Sequence, residues 1–237
     1  AYLFISNHRD IFLDAGLLQI LLFEHGLPTS EIAFGSNLMS SPLIINAGKS
    51  NKMFTAYRSG HNRKEVYENT KNFSEYIRFT ITQKKRSVWI SHRDGRTKDG
   101  NDKTEMRLMK ILNISSEGEL INSFSELHII PVSVSYEYEP CDVLKVKELY
   151  ESIESPYIKK PGEDFKSILT GVTQPKGHIH LGIGKPVNHI MDSLQGKNQQ
   201  EQFQELTAAI DREVYKNYRI WPSNYIATDL LAGDNKY

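Results

Sequence analysis

Short apolar runs alternate along the chain with longer segments in which hydrophobic residues recur every three or four positions. The short runs are rich in β-branched and aromatic residues and end at turn-forming residues, which is typical of strands. Strands are predicted at residues 2–5, 32–35, 53–57, 87–91, 127–136 and 178–184. Helices are predicted at residues 11–26, 62–85, 105–112, 164–171 and 199–218, with shorter ones near 42–45 and from Trp221-Pro222 onward.

Strands that alternate with helices over most of the chain indicate an α/β domain with a mixed, largely parallel central sheet flanked by helices. No segment has the composition of a flexible linker, so we expect one domain across residues 1–237. The chain opens directly on a strand-like run and has no initiator methionine. We therefore expect that N-terminal residues have been removed, and a membrane anchor could lie among them.

Composition narrows the possible classes of protein. Hydrophobic residues make up 39% and charged residues 24%, which supports a packed core. Lys+Arg and Asp+Glu both number 29, so no global positive charge suggests a nucleic-acid partner. The single cysteine, Cys141, excludes a disulfide framework, and a small buried hydrophobe or a surface residue is favoured over a nucleophile. No stretch is long and apolar enough to span a bilayer.

The first candidate for chemistry is His8, which follows the predicted strand at residues 2–5 and precedes a predicted helix. This position lies at the rim of an α/β sheet, where catalytic groups gather. A neutral imidazole there can take a proton from an alcohol, best when a carboxylate fixes its tautomer. Asp14 is the expected orienter, while Asp10 is a rival that could instead cap the helix. The alternative is a histidine that only bonds to the helix terminus.

Positively charged residues follow two other predicted strands. Arg58 leaves the strand at 53–57, with its guanidinium available for a phosphate or for a surface salt bridge. Residues 93–103 contain no hydrophobic residue and two glycines, and they place Arg96 and Lys98 after Gly95. Glycine-freed backbone amides and guanidinium groups could hold a phosphate. A solvated charged loop is the equally weighted alternative.

Two further patterns are less specific. His-Arg-Asp at residues 8–10 occurs in protein kinases, but no glycine-rich loop precedes it and no Asp-Phe-Gly follows, so a kinase is excluded. His178 and His180 have strand spacing, but no third metal ligand is evident nearby, and solvent-facing or hydrogen-bonded histidines are favoured.

Four segments, taken in order, resemble the motif blocks of the glycerol-3-phosphate and lysophosphatidic acid acyltransferase superfamily, in a bacterial branch. The motif-bearing part is residues 1–135, and the C-terminal hundred residues carry no family motif. The segments are Asn7-His8 with Asp14, Phe54 to Arg58, Asp94-Gly95-Arg96, and Ile130-Pro131-Val132.

The chain departs from the family pattern at three places. Five residues separate His8 from Asp14 where four are usual, so either the turn absorbs one extra residue or the orienter is different. The second block is one residue longer than usual. Asp94 stands where glutamate is usual.

The resemblance implies a mechanism and a set of roles. His8 would act as general base on the acceptor hydroxyl and Asp14 would orient it, with no covalent intermediate. Acyl-CoA or acyl carrier protein would be the donor, and no metal or cofactor is expected. The acceptor phosphate would be held by Arg58 and Arg96, with Lys98 and Arg93 as lesser candidates; Gly95 would allow close approach, and Asp94 would organise the loop.

The resemblance also implies phospholipid biosynthesis, with a lysophospholipid or glycerol phosphate as acceptor. We expect the protein at the cytoplasmic face of the bacterial inner membrane, peripheral or anchored by segments outside this chain. The departures motivate an alternative: a non-catalytic module on the same scaffold that binds lipid phosphates or a membrane surface. A thioesterase or hydrolase is a third possibility, which would need room for an ordered water.

Overall fold

The computed structural model describes residues 1–39, 42–57 and 60–237. Within these ranges six strands form one sheet, in the order β3-β2-β4-β1-β5-β6. Neighbouring strands from β1 to β5 are parallel, and β6 runs antiparallel to β5. The predicted mixed, largely parallel sheet is therefore confirmed. The strands are β1 (Leu3–Ser6), β2 (Glu31–Gly35), β3 (Met53–Ala56), β4 (Val88–Ser91), β5 (Ile129–Tyr136) and β6 (Ile179–Ile183).

Helices connect and cover these strands, and most lie where the hydrophobic spacing predicts them. Short 3₁₀ segments occur at Ser36–Leu38 and Val187–Leu194. The α-helices of the described residues are α1 (Leu13–Glu24), α2 (Pro42–Ser50), α3 (Arg63–Thr82), α4 (Met106–Asn113), α5 (Leu120–Ser125), α6 (Asp142–Glu151), α7 (Glu163–Thr173), α8 (Gln199–Asn217) and α9 (Pro222–Ala232).

The hydrophobic spacing of the sequence does not predict α5 or α6, for different reasons. Helix α5 is shorter than two turns, too short for a periodic signal. Helix α6 has an inverted pattern, because Lys145 is its buried residue while Val143 and Val146 are exposed. A search for an apolar buried stripe therefore misses α6.

The two faces of the sheet carry separate hydrophobic clusters. On one face, strand residues such as Leu3 and Ile90 pack with Ile77 of α3 and Leu206 of α8. On the other face, Phe4, Trp89 and Ile130 pack with Ala15 and Leu18 of α1. Helices on both faces bury all four residues of β1, as is usual for a central parallel strand.

The motif-bearing strands end at one edge of the sheet. Ser6 at the end of β1 is aligned with Ser91 at the end of β4 and with Val132 of β5. Strand β5 runs without interruption through Pro131, which is aligned with Ile5, and continues to Tyr136. Because parallel strands share their C-terminal edge, the segments after β1 and β4 meet beside the end of β5.

Helix α7 lies against the turn between β1 and α1. Asp10 bonds to the start of α1, since its Oδ1 accepts hydrogen bonds from the backbone N–H groups of Phe12 (2.9 Å) and Leu13 (2.8 Å), the first residue of the helix. A Cβ atom added at Gly171 would collide with the other carboxylate oxygen of Asp10. The glycine therefore permits the close approach of α7 to this turn.

Gly171→Ala should lower the free energy of unfolding by about 1–3 kcal/mol, the usual cost of overpacking. The matched control is Gly16→Ala in α1, where an added Cβ has nothing within 4 Å. That variant should be neutral or more stable, because alanine favours helix interiors by about 0.5–1 kcal/mol over glycine. Urea unfolding followed by circular dichroism measures both, and equal stability of the two variants would contradict the packing described for α7.

Candidate active site

His8 and Asp14 form a hydrogen-bonded pair at the C-terminal edge of the sheet. His8 follows β1, Asp14 lies in the first turn of α1, and Nδ1 of His8 is 3.0 Å from Oδ2 of Asp14. The intervening turn accommodates the extra residue between them, and Asp10 within this turn bonds to the start of α1 instead of to His8. The side chain of His8 is 12% exposed and that of Asp14 is fully buried.

Among the described residues, four hydrogen-bond donors hold the carboxylate of Asp14. Besides His8, the backbone N–H groups of Arg9 (2.6 Å) and Asp10 (3.0 Å) donate to Oδ2. The hydroxyl of Tyr136 donates to Oδ1 at 2.8 Å. When the Asp14 carboxylate is ionised it only accepts, so a neutral His8 ring in this pair carries its proton on Nδ1 and has a lone pair on Nε2.

Nε2 of His8 has no hydrogen-bond partner among the residues that the structure describes. The ring is edge-on to Trp89 of β4, with 6.2 Å between centroids. One nitrogen is thus fixed by a buried carboxylate while the other is available to a ligand. This arrangement can take a proton from a hydroxyl placed at Nε2.

A second network holds the turn that carries His8. Asn7 pairs with the backbone of Val134 through both ends of its amide, at 3.0 and 2.7 Å, and donates to Asp102 at 3.1 Å. Arg9 donates to the same oxygen of Asp102 at 2.8 Å and to the hydroxyl of Tyr218 at 3.0 Å. The residues on either side of His8 are therefore tied to β5, to the loop after β4 and to the end of α8.

The loop after β4 contacts His8 directly. The backbone N–H of Thr97 donates to the carbonyl of His8 at 2.8 Å. Gly95 has φ +73°, a conformation that favours glycine. Arg96 is half-buried, and its Nη1 is buried with no hydrogen-bond partner among the described residues. Burial raises the pKa of the Asp10 carboxyl, and the nearby charge of Arg96 opposes this rise.

The other predicted phosphate ligands lie in different surroundings. Lys98 forms an ion pair with Glu148 of α6. Arg93 and Asp94 line a cleft between the sheet edge, α3 and α4. Arg58 lies outside the described residues. The structure thus brings Arg96 to the turn of His8, whereas Arg93 faces another side of the loop.

His92 is a buried histidine near the pair. Neither ring nitrogen has a hydrogen-bond partner among the described residues, and the ring is fully inaccessible. Burial lowers the pKa of His92 to about 4 against an opposing effect of Asp102, so the ring is neutral near pH 7. The neutral ring of His92 therefore adds no positive charge beside the His8–Asp14 pair.

The less specific candidates are hydrogen-bonded within the protein. Burial raises the pKa of the Cys141 thiol, whose sulfur lies 3.4 Å from the carbonyl of Ser167. His178 pairs with Glu137 at 2.7 Å, and Nε2 of His180 lies 3.2 Å from the carbonyl of Asn217. These internal contacts explain the positions of Cys141, His178 and His180, so no ligand is needed to explain them.

Sequence reasoning missed several residues around His8. Tyr136 could have been found, because it ends the strand of the fourth motif at the same edge as His8. Asp102 and Tyr218 lie far away in the chain and carry no periodic signal. Lys145 is buried, and burial lowers its pKa. Its Nζ donates to the carbonyl of Arg9 at 2.9 Å and forms an ion pair with Glu139 at 3.0 Å.

Comparison with known proteins gives two distant likenesses. No protein-family model matches the chain. The dihydroxyacetone phosphate acyltransferases of Bos taurus and Homo sapiens are each 24% identical over 187 residues, which cover 78% of this chain. Both relatives are acyltransferases, in agreement with the predicted resemblance to the glycerolipid acyltransferase superfamily. The bacterial branch stays a prediction.

The likeness to these acyltransferases has defined limits. The chain spans about a quarter of the curated relatives it matches, 26% of their length. The solved structure of the 1-acyl-sn-glycerophosphate acyltransferase PlsC from Thermotoga maritima is 16% identical, with a TM-score of 0.41, over 91% of this chain and 65% of that chain. Within residues 1–39, 42–57 and 60–237, no helix combines the length and hydrophobicity needed to cross a bilayer.

Proposed function

We propose that this chain transfers an acyl group from a thioester to a hydroxyl of a glycerophosphate-type acceptor, with His8 as general base. The observation that carries the proposal is the pairing of Nδ1 with the buried Asp14 carboxylate while Nε2 is left for a ligand. The distant acyltransferase relatives support the same reaction class. The donor is acyl-CoA or acyl carrier protein, and lipid acceptors would be met at a membrane surface.

The proposed reaction needs one proton carrier. Nε2 of His8 accepts the proton of the acceptor hydroxyl as the oxygen attacks the thioester carbonyl, and the negative charge of Asp14 stabilises the imidazolium. When the tetrahedral intermediate collapses, the carbon–sulfur bond breaks and the thiolate takes the proton from Nε2. The ester and the free thiol leave, His8 is neutral again, and no covalent bond to the protein forms.

The acceptor phosphate is proposed to bind at Arg96. A guanidinium nitrogen that is buried without a partner is costly, and an anion that accepts its hydrogen bond removes that cost. Gly95 lets the backbone approach the ligand, and Asp94 would organise the loop. Lys98 already pairs with Glu148 and Arg93 lines the cleft beside α3 and α4, so we assign both lesser roles; Arg58 remains a candidate on sequence grounds.

A non-catalytic lipid-binding module would need the positive charges of the loop but not an oriented imidazole. Burial of the Asp14 carboxylate is costly unless its hydrogen bonds are made, and it has no use in phosphate binding. The four donors to Asp14 therefore favour the enzyme over the binding module.

His8→Ala should reduce acyl transfer by about 10²–10⁴-fold without unfolding, the usual contribution of a general base. The control is His189→Ala, which removes an exposed imidazole whose hydrogen bond within the described part of the chain is to the carbonyl of Pro186. Transfer of labelled acyl groups from acyl-CoA and acyl carrier protein to glycerol 3-phosphate and lysophosphatidic acid measures both. Undiminished turnover of His8→Ala would reject the mechanism, and lipid binding without transfer by the wild type would favour the binding module.

Arg96→Ala should raise KM for the phosphorylated acceptor by about tenfold or more, as expected for the loss of a charged hydrogen bond of about 1.5–3 kcal/mol. With a monoacylglycerol acceptor, which lacks the phosphate, the variant and the wild type should be alike. Arg212→Ala on the exposed side of α8 is the matched control. An equal loss with both acceptors would show that Arg96 supports the loop instead of holding the phosphate.

A further inference from the structure

We infer that Tyr136 is a positioning residue for the His8–Asp14 pair, an inference that rests on the proposed function. Tyr136 is the last residue of β5, the strand that carries Ile130-Pro131-Val132 and pairs with β1. Through Tyr136, strand β5 would support proton transfer by His8, a role that none of the four motif segments predicts.

The hydroxyl of Tyr136 and the ring of His8 use different oxygens of one carboxylate. Tyr136 donates to Oδ1 of Asp14 at 2.8 Å, and Nδ1 of His8 lies 3.0 Å from Oδ2. The torsion that rotates a carboxylate about its last carbon–carbon bond has a broad minimum, so bonds to a single oxygen orient it poorly. Bonds to both oxygens fix the plane of the carboxylate, and hence the direction in which it holds the imidazole.

Tyr136 also connects the pair to the sheet. The two backbone donors to Asp14, from Arg9 and Asp10, belong to the turn just before α1 and bind the oxygen that His8 uses. Among the described residues, the donor from a strand is Tyr136, and its side chain is nearly inaccessible. The tyrosine therefore sets the position of Asp14 relative to the sheet edge where His8 begins the turn.

The hydrogen bond from Tyr136 to Asp14 also weakens the effect of the carboxylate's negative charge on His8. A phenol that donates to the carboxylate shares its negative charge, so Asp14 stabilises a protonated imidazole less than a carboxylate without that donor would. Burial, and next the charge of Asp14, raise the pKa of Tyr136 far above its ordinary value, so the phenol remains a donor at any pH used for assay. Removing the hydroxyl should move the acidic limb of the rate profile to higher pH.

Other titratable and charged groups surround the pair and are the same in wild type and variant. Burial keeps the pKa of His92 at about 4 and raises that of Asp10. Because neither group is altered, the difference between the two pH profiles isolates the effect of the phenol. Within the described part of the chain, these surrounding groups include Arg9, Asp10, His92, Asp102, Glu139 and Lys145.

The test compares Tyr136→Phe with the wild type in kcat, acceptor KM and the pH profile of kcat/KM. We expect kcat to fall on the order of tenfold, the effect of one charged hydrogen bond, with KM unchanged and the acidic limb at higher pH. The matched control is Tyr76→Phe, because Tyr76 donates at 2.7 Å to the buried carboxylate of Glu31, the first residue of β2, at the opposite edge of the sheet. That variant should lose stability and keep the wild-type profile.

The outcomes separate this inference from the proposed function. A Tyr136→Phe profile that overlies the wild type, while His8→Ala is inactive, overturns the role of Tyr136 alone. Turnover that survives His8→Ala overturns the proposed function itself. Should Tyr136→Phe fail to fold, 3-fluorotyrosine at position 136 keeps the hydroxyl and makes it a stronger donor, so the acidic limb should move to lower pH; an unmoved limb would contradict the inference.

Discussion

A single buried carboxylate, that of Asp14, determines how the candidate site is organised. An ionised group without access to water is stable only when its oxygens accept hydrogen bonds, and Asp14 receives them from two backbone amides, an imidazole and a phenol. The turn after β1 supplies the imidazole and both amides, and the end of β5 supplies the phenol. To satisfy this carboxylate the chain must bring the turn after β1, the start of α1 and the end of β5 to one point.

The fold brings these segments together through the parallel arrangement of its central strands. Helices on both faces bury β1, so its direction and register are strongly determined, and its C-terminal end delivers His8 beside β5. Asn7 then fixes the turn on β5, while Arg9 and Asp102 attach the loop after β4. The C-terminal part, which carries no family motif, contributes through Tyr218 of the α8 terminus and through the approach of α7 at Gly171.

Much of this organisation can be predicted from the sequence because it depends on local pattern. Alternating apolar runs located the strands, and the residues after the first strand identified His8 as the candidate base. The choice between Asp10 and Asp14 could not be made in that way, because both follow His8 closely and the outcome depends on which carboxylate bonds to the start of α1. Tyr136 and Asp102 depend on strand register and loop path, which are long-range properties, and α6 carries a hydrophobic pattern opposite to its burial.

The tautomer of His8 is the most direct measure of the central claim. In the arrangement described, the Asp14 carboxylate holds the proton on Nδ1, so the neutral ring should show a protonated Nδ1 and an unprotonated Nε2 in ¹⁵N NMR of the labelled imidazole. Asp14→Asn should remove this preference while the fold is retained. A neutral His8 ring with its proton on Nε2 in the wild-type protein would contradict the account.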